Sequence, residues 1–265
     1  MNEENEKAQG NILHSFKSKR GTFIEMIQCP TLGIACYMDH LIQSCEYDEK
    51  IYHQALVSSV MNHKSNSKNV MIIGGVEGAS AREVLKDQSV ARVDMYEWDE
   101  EVVELFKKYY PQWAMGAWDD DRLHLYYDDI FDVIRNPPRV KYDIIIIDLF
   151  DPSNETEQQL IHLLTKLQSW LSPNGSLVMY AGMYETQKEN AFLFLSKIST
   201  ENWYIYPNHL RTVYSVPIES FSGDCMFLML TNPYLKEEKF DENEDEDEDE
   251  ESDGFIGCET GVKMP

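Results

Sequence analysis

The chain has 265 residues, is 43% hydrophobic and carries a formal net charge of −24, enough apolar content for one sizeable core or a main domain with a small annex. No run approaches the roughly 20 apolar residues of a membrane span, and the acidic start Met1-Asn2-Glu3-Glu4-Asn5-Glu6 is unlike a signal or transit peptide. Five cysteines, odd in number and without a CxxC, argue against a disulfide framework or a thiolate metal site and favour a reducing, cytoplasmic compartment.

The charge is unevenly placed. Residues 237–253 hold 13 Asp/Glu and one Lys, so this stretch carries −12 and leaves −12 for the rest. This stretch has one aromatic and no periodicity, and residues 237–265 are expected to be a disordered acidic tail. The −12 that remains argues against a nucleic-acid partner and suits a cationic small molecule.

In chain order, residues 1–10 are polar and expected to be disordered. Residues 11–47 hold short alternating segments at 12–16, 22–28, 34–38 and 41–45, separated by turn residues, which predicts a small antiparallel β-meander domain. Asp48 starts a helix over 49–63 with Ile51, Ala55, Leu56 and Val60 near one face. From Val70 the pattern alternates: strands at 70–73, 93–97, 123–126, 142–148 and 176–180, with helices at 80–86, 100–109, 130–134, 155–171 and 185–199. Strands at 203–206, 212–216 and 226–230 close the fold. Residues 48–236 therefore read as an α/β domain, a doubly wound and mostly parallel Rossmann-like sheet with an antiparallel end.

The run Ile144-Ile145-Ile146-Ile147 reads as a strand buried on both faces. It ends near Asp148, because Pro152 cannot donate to a ladder and keeps Asp151 extended. Two carboxylates thus stand at the carboxyl end of a central strand, where open α/β sheets bind ligands; capping the strand exit and making a turn is the structural alternative. Gly74-Gly75-Val76-Glu77-Gly78 follows the first strand of this domain, and its glycines allow a tight turn against a ligand. Glu97, 19 residues beyond Gly78, stands where an acid accepts from ribose hydroxyls. The loop lacks Lys-Ser/Thr, which argues against a P-loop. Asp128-Asp129 either places a carboxylate on an adenine amino group or caps the helix that begins at Ile130.

These stretches, with Tyr37-Met38-Asp39-His40-Leu41-Ile42-Gln43 and Asp48-Glu49-Lys50-Ile51-Tyr52-His53-Gln54, resemble the polyamine aminopropyltransferases: the spermidine, spermine and thermospermine synthases. The similarity runs in the family's order from about Ile12 to Leu230. Asp148-Leu149-Phe150-Asp151-Pro152 and Val216-Pro217 with Ser220-Phe221 look closer to the thermospermine-synthase branch. The resemblance implies a class I methyltransferase-like fold and transfer of an aminopropyl group from decarboxylated S-adenosylmethionine, a co-substrate, to putrescine or spermidine. It implies no metal or further cofactor, no membrane, and a homodimer formed partly through 11–47. By position in the motifs, Asp148 matches the base and Asp151 the ligand of the polyamine ammonium. Gln43, Tyr52 and His53 match the junction of donor and acceptor sites. Gly74, Gly75 and Gly78 match the donor loop, Glu77 the ligand of the donor's ammonium, Glu97 the ribose ligand, and Asp129 with Ile130 the adenine site.

The chain departs from the family at Val76, His40 and Asp128, which replace glycines, and at Tyr180-Ala181-Gly182, where a glutamine usually stands. It also lacks the segment that follows Pro152 in the family. A methyltransferase using S-adenosylmethionine, or an inactive binding subunit on the same fold, are the alternatives these departures leave open.

Overall fold

The computed structural model describes residues 3–62, 69–150, 152–153, 155–184 and 210–231, all belonging to one compact unit, Met1–Tyr234. The helix expected at 185–199, the strand at 203–206, the tail and Asp151 lie outside the described residues.

The start of the chain differs from expectation: Glu3–Gln9 form a helix, α1. Its charged residues serve as anchors. Lys7 Nζ lies 2.6 Å from Glu25 Oε2 and 4.5 Å from the Tyr37 ring centre. The Glu6 carboxylate accepts from the Thr31 N–H at 2.9 Å and the Thr31 hydroxyl at 2.7 Å.

The meander forms as four antiparallel strands in sequential order, β1 (Asn11–Lys17), β2 (Phe23–Cys29), β3 (Gly33–Met38) and β4 (Leu41–Cys45). Asp39 and His40 make the β3–β4 turn with φ of 47° and 70°, the left-handed pair a two-residue hairpin requires. Helix α2 (Glu49–Asn62) leads into the second sheet. There the chain runs β5 (Asn69–Gly74), α3 (Ala79–Leu85), β6 (Arg92–Tyr96), α4 (Glu100–Tyr109), β7 (Leu123–Tyr126), α5 (Ile130–Val133), β8 (Tyr142–Asp148) and α6 (Glu157–Leu167). It continues through β9 (Leu171–Met183), β10 (Leu210–Ile218) and β11 (Gly223–Thr231). The strand order is β10-β11-β9-β8-β5-β6-β7, parallel from β9 to β7 and antiparallel at the β10–β11 end. Helix α6 is shorter than predicted because a 3-10 turn at Gln168–Trp170 passes straight into β9.

The isoleucine run alternates between two cores, as a strand's period of two dictates. Ile145 and Ile147 join Met71, Ile73 and the α6 leucines Leu160, Leu163, Leu164 and Leu167 on one face. Ile144 and Ile146 join Val70, Ile72, Leu56, Val60, Ala81 and Val84 on the other. Each such side chain, fully buried, contributes about 1.5–3 kcal/mol, so a slip of one residue would merely exchange the faces, while the end of the strand fixes Asp148. A third core, with Ile24, Met26, Cys36, Phe106 and Trp113, fills the space between the meander and α4. Among the described residues no helix is long and apolar enough to cross a membrane.

Candidate active site

Chain order reverses at β5: β6 and β7 lie to one side of it, β8 and β9 to the other. That reversal opens a crevice at the carboxyl ends of β5 and β8. Gly74 pairs in register with Asp148, and the Gly75 N–H donates to the Asp148 carbonyl at 3.2 Å. Gly74 has φ +82°, and a Cβ there would stand 2.0 Å from the Asp148 carbonyl oxygen, so this position admits only glycine. Val76, which replaces a glycine of the loop, packs against the cluster of Ile24, Met26 and Phe106.

The Asp148 carboxylate is held from both sides. The Tyr52 hydroxyl donates to Oδ1 at 3.2 Å and the Ser80 hydroxyl to Oδ2 at 2.8 Å. Burial raises the Asp148 pKa; the His53 charge works against that rise, the Glu77 carboxylate adds to it, and the two hydroxyls oppose it. His53 is 2% exposed. Its Nδ1 faces the Glu49 carbonyl oxygen at 2.6 Å and Glu49 Oε2 at 3.2 Å. Its Nε2 lies 3.1 Å from Glu77 Oε1 and 3.8 Å from Asp148 Oδ2, without a hydrogen bond to either. Burial alone would lower the imidazole pKa, but Glu49, Glu77 and Asp148 carry it up to about 10. Behind it Arg82 forks onto both Glu49 oxygens at 3.0 and 2.9 Å, and its Nε meets Glu83 at 2.9 Å. Burial would raise the Glu49 pKa, yet His53 and Arg82 hold it below the usual value.

An aromatic wall flanks this cluster. The Tyr52 ring centre is 6.0 Å from those of Phe221 and Tyr180 and 5.5 Å from that of Phe227. Tyr180, standing where a glutamine was expected, is therefore part of the packing behind Tyr52. The turn that carries Phe221 is fixed by Asp48, whose buried carboxylate accepts from the Ser220 N–H and hydroxyl, each at 2.8 Å. Sequence reading gave Asp48 only a helix start.

Glu97 stands just beyond β6, its N–H donating to the Tyr126 carbonyl at 3.0 Å. Burial pushes its carboxyl up to about 7, with backbone N–H groups of Asp99 and Trp98 working against that and the Asp99 and Glu77 charges adding to it. Asp129 is the N-cap of α5 and accepts from the Phe131 N–H at 2.8 Å. Ile130 is 5% exposed and sits in the core beside Ile73, which leaves only its backbone for a ligand. Asp128 and Asp129 line an open cavity of about 380 Å³ with Arg20, Tyr127, Asp132 and Val133. Arg20 comes from the β1–β2 turn, which grips the segment after Glu97. Ser18 Oγ donates to Asp99 at 2.6 Å, the Lys19 N–H to Glu101 at 2.7 Å, and Arg20 Nε to the Trp98 carbonyl at 3.0 Å. The only trace of this grip in the sequence is a basic turn and an acidic helix start with opposite charge. Gln43 stays apart from the cluster: it is exposed on β4, and its amide donates to the Leu41 carbonyl at 3.3 Å.

The arrangement joins a buried carboxylate with two donors, a second acid one side chain away, and a third buried acid just beyond β6. Residues 49–241 match the family model described as the spermine/spermidine synthase domain. A polyamine aminopropyltransferase of Pyrobaculum aerophilum is 37% identical over 177 residues, 65% of this chain and 61% of the relative. One from Saccharolobus islandicus is 36% identical over 181 residues, 63% and 60% of the two chains. The match thus spans about three-fifths of the length of these curated relatives. Among solved structures, the spermidine synthase from Thermotoga maritima superposes with a TM-score of 0.74 at 26% identity, over 83% of this chain and 72% of that one. A spermidine synthase in complex with the transition state analogue AdoDATO gives a TM-score of 0.74 at 26% identity, over 83% and 73%.

Proposed function

The chain belongs to the spermine/spermidine synthase family, and on that premise we propose that it moves the aminopropyl group of decarboxylated S-adenosylmethionine to a polyamine nitrogen. The observation that carries this reading is the buried Asp148 carboxylate, oriented by Tyr52 and Ser80 at the switch point beside Glu77. An alkylamine has a pKa near that of lysine, so removing its proton at about pH 7 costs about 4 kcal/mol. A carboxylate whose pKa burial has raised is a better base for that proton than one in water. The freed lone pair attacks the methylene bound to the sulfonium. A carbon–nitrogen bond forms as the carbon–sulfur bond breaks, the sulfonium becomes the neutral thioether of methylthioadenosine, and Asp148 keeps the proton.

Glu77 holds the donor's ammonium, Glu97 its ribose hydroxyls and Asp129 its adenine, with Gly74, Gly75 and Gly78 letting the loop lie against it. Tyr52 orients the base, and Asp151, three residues on, anchors the acceptor's second ammonium. The acceptor is putrescine or spermidine. The buried acid at Glu77 favours a donor without a carboxylate, because S-adenosylmethionine itself would place like charges together. A homodimer through residues 11–47 fits the exposed Ile12 and Leu13 of β1, and a single-chain mass by light scattering at micromolar concentration would count against it. The four described cysteines are buried, and a cytoplasmic location is part of the same proposal.

The test is incubation of the full chain with decarboxylated S-adenosylmethionine and a panel of diamines and triamines, read by mass spectrometry. The expected result is one acceptor gaining an aminopropyl group together with methylthioadenosine. No product with any amine, or a methylated product from S-adenosylmethionine, would overturn the reading.

A further inference from the structure

We propose that the β1–β2 turn is a clamp that aims the Glu97 carboxylate, with Ser18 and Arg20 as positioning residues for the donor's ribose although neither bonds it. This rests on the reading of Glu97 as the ribose ligand. The clamp works through a single peptide group, the one joining Trp98 to Asp99. Its carbonyl accepts from Arg20 Nε at 3.0 Å, and its N–H donates to Glu97 Oε1 at 3.0 Å. A peptide unit is planar, so fixing the carbonyl fixes the direction of the N–H on its other side. Arg20 therefore sets where the Glu97 carboxylate finds its donor. The guanidinium is itself steadied over the Trp98 ring, 5.5 Å from its centre.

Ser18 holds the far side of the same peptide. Its hydroxyl donates to Asp99 Oδ2 at 2.6 Å, and both residues are buried. The other Asp99 oxygen caps α4 through the Val102 N–H at 3.4 Å, the longer and weaker of the two bonds. Lys19 adds its N–H to Glu101 Oε2 at 2.7 Å and its ammonium to Oε1 at 3.0 Å. The turn and its sheet have other supports. The Ser18 N–H donates to the Thr22 carbonyl and the Gly21 N–H to the Ser18 carbonyl, each at 2.9 Å, which closes the turn on itself. The sheet is attached through Ile24, Met26 and Cys36 packed against Phe106 and Trp113. What the turn adds is confined to residues 98–101, directly after Glu97. A carboxylate that must meet ribose hydroxyls depends on direction, so a small rotation of the Trp98–Asp99 peptide is felt by the ligand.

The experiment titrates the full chain calorimetrically with methylthioadenosine and with its 2′,3′-dideoxy analogue. A charge-assisted bond is worth roughly 10–150-fold if all of it reaches the ligand, and the share passed through a peptide is smaller. Ser18→Ala and Arg20→Ala should each weaken methylthioadenosine by roughly 3–20-fold and the analogue by less than about 2-fold, because the analogue lacks the hydroxyls that Glu97 receives. Ser18→Thr keeps the side-chain hydroxyl and should retain the wild-type preference. An equal loss for both ligands would mean a merely structural role or, for Arg20, a direct contact from the cavity it shares with Asp128 and Asp129, and would overturn the proposal. No loss for either ligand would overturn it as well. Should Ser18→Ala fail to fold, Arg20→Ala, altered at an exposed side chain, decides by the same comparison. A wild-type chain that binds neither ligand, or both equally, takes Glu97 off the ribose and the clamp falls with it. A wild-type preference that the variants leave unmoved removes the clamp alone.

Discussion

Glu97→Gln should stabilise the free protein above neutral pH and lose that advantage below it. The carboxyl is 7% exposed, and burial pushes its pKa from 4.5 up to about 7. A folded-state pKa above the unfolded one means the native chain holds the proton more tightly. The resulting stabilisation is complete below the unfolded value and is lost as pH rises through the folded one. Over the whole shift that is about 3 kcal/mol, and between about pH 5.5 and about pH 8.5 the native protein gives up about 2 kcal/mol. Glutamine keeps an oxygen for the Asp99 N–H, bound at 3.0 Å in the native chain, and has no charge to desolvate. At about 2–4 °C per kcal/mol, the Tm difference should move in the variant's favour by about 4–8 °C across that pH range. Calorimetric melts of both proteins at the two pH values measure it. A difference that does not change with pH, or one that moves the other way, refutes the reasoning. Methylthioadenosine should bind the variant more weakly, because a neutral amide accepts from ribose hydroxyls less strongly than a carboxylate.

Asp148→Asn removes the base but keeps the shape, so kcat should fall by roughly 10²–10⁴-fold while the Kd for methylthioadenosine changes little; unchanged turnover would remove Asp148 from the mechanism. Gly74→Ala sets a Cβ 2.0 Å from a backbone oxygen at a left-handed φ, and should cost about 3 kcal/mol or more in denaturant unfolding. His40→Gly relieves a left-handed non-glycine residue and gives up a part-buried contact with Glu25 at 3.1 Å and a ring contact with Phe23 at 5.1 Å. It should therefore gain about 0.5–1 kcal/mol in the same measurement.

What was legible in the sequence was whatever follows from local pattern. The isoleucine run, the glycine turn and Glu97 announce themselves because strand period, backbone freedom and position after a strand are properties of neighbouring residues. Helix α1 was missed because its charges pair with Glu25 on β2 and Thr31 in the β2–β3 turn, and short-range composition reads such charges as solvated. The grip of Ser18, Lys19 and Arg20 on residues 98–101 crosses about 80 positions and leaves no periodic trace. Asp129 caps α5 and Gln43 is exposed on β4, features settled by capping and strand-facing geometry that the motif letters do not carry. His53 is the clearest case. Its residue type was noticed, but its surroundings combine Glu49, one turn earlier on α2, with Glu77 and Asp148 from two other segments.

The bond between Asp48 and Ser220 joins positions 172 residues apart, and it bears on how the chain comes to fold. At about 5–20 residues per second of synthesis, roughly 9–34 s separate the appearance of the two residues. During that interval the Asp48 carboxylate has no Ser220 to bind, and Phe221 has yet to reach Tyr52. Loop closure over such a span must come before the contact repays it, which places this step late and makes it slow. The parallel strands from β5 to β9 can be in place while the wall beside Asp148 is still open. A nascent or truncated chain that stops short of β10 would thus hold Asp148, Glu77 and Glu97, yet present them to water.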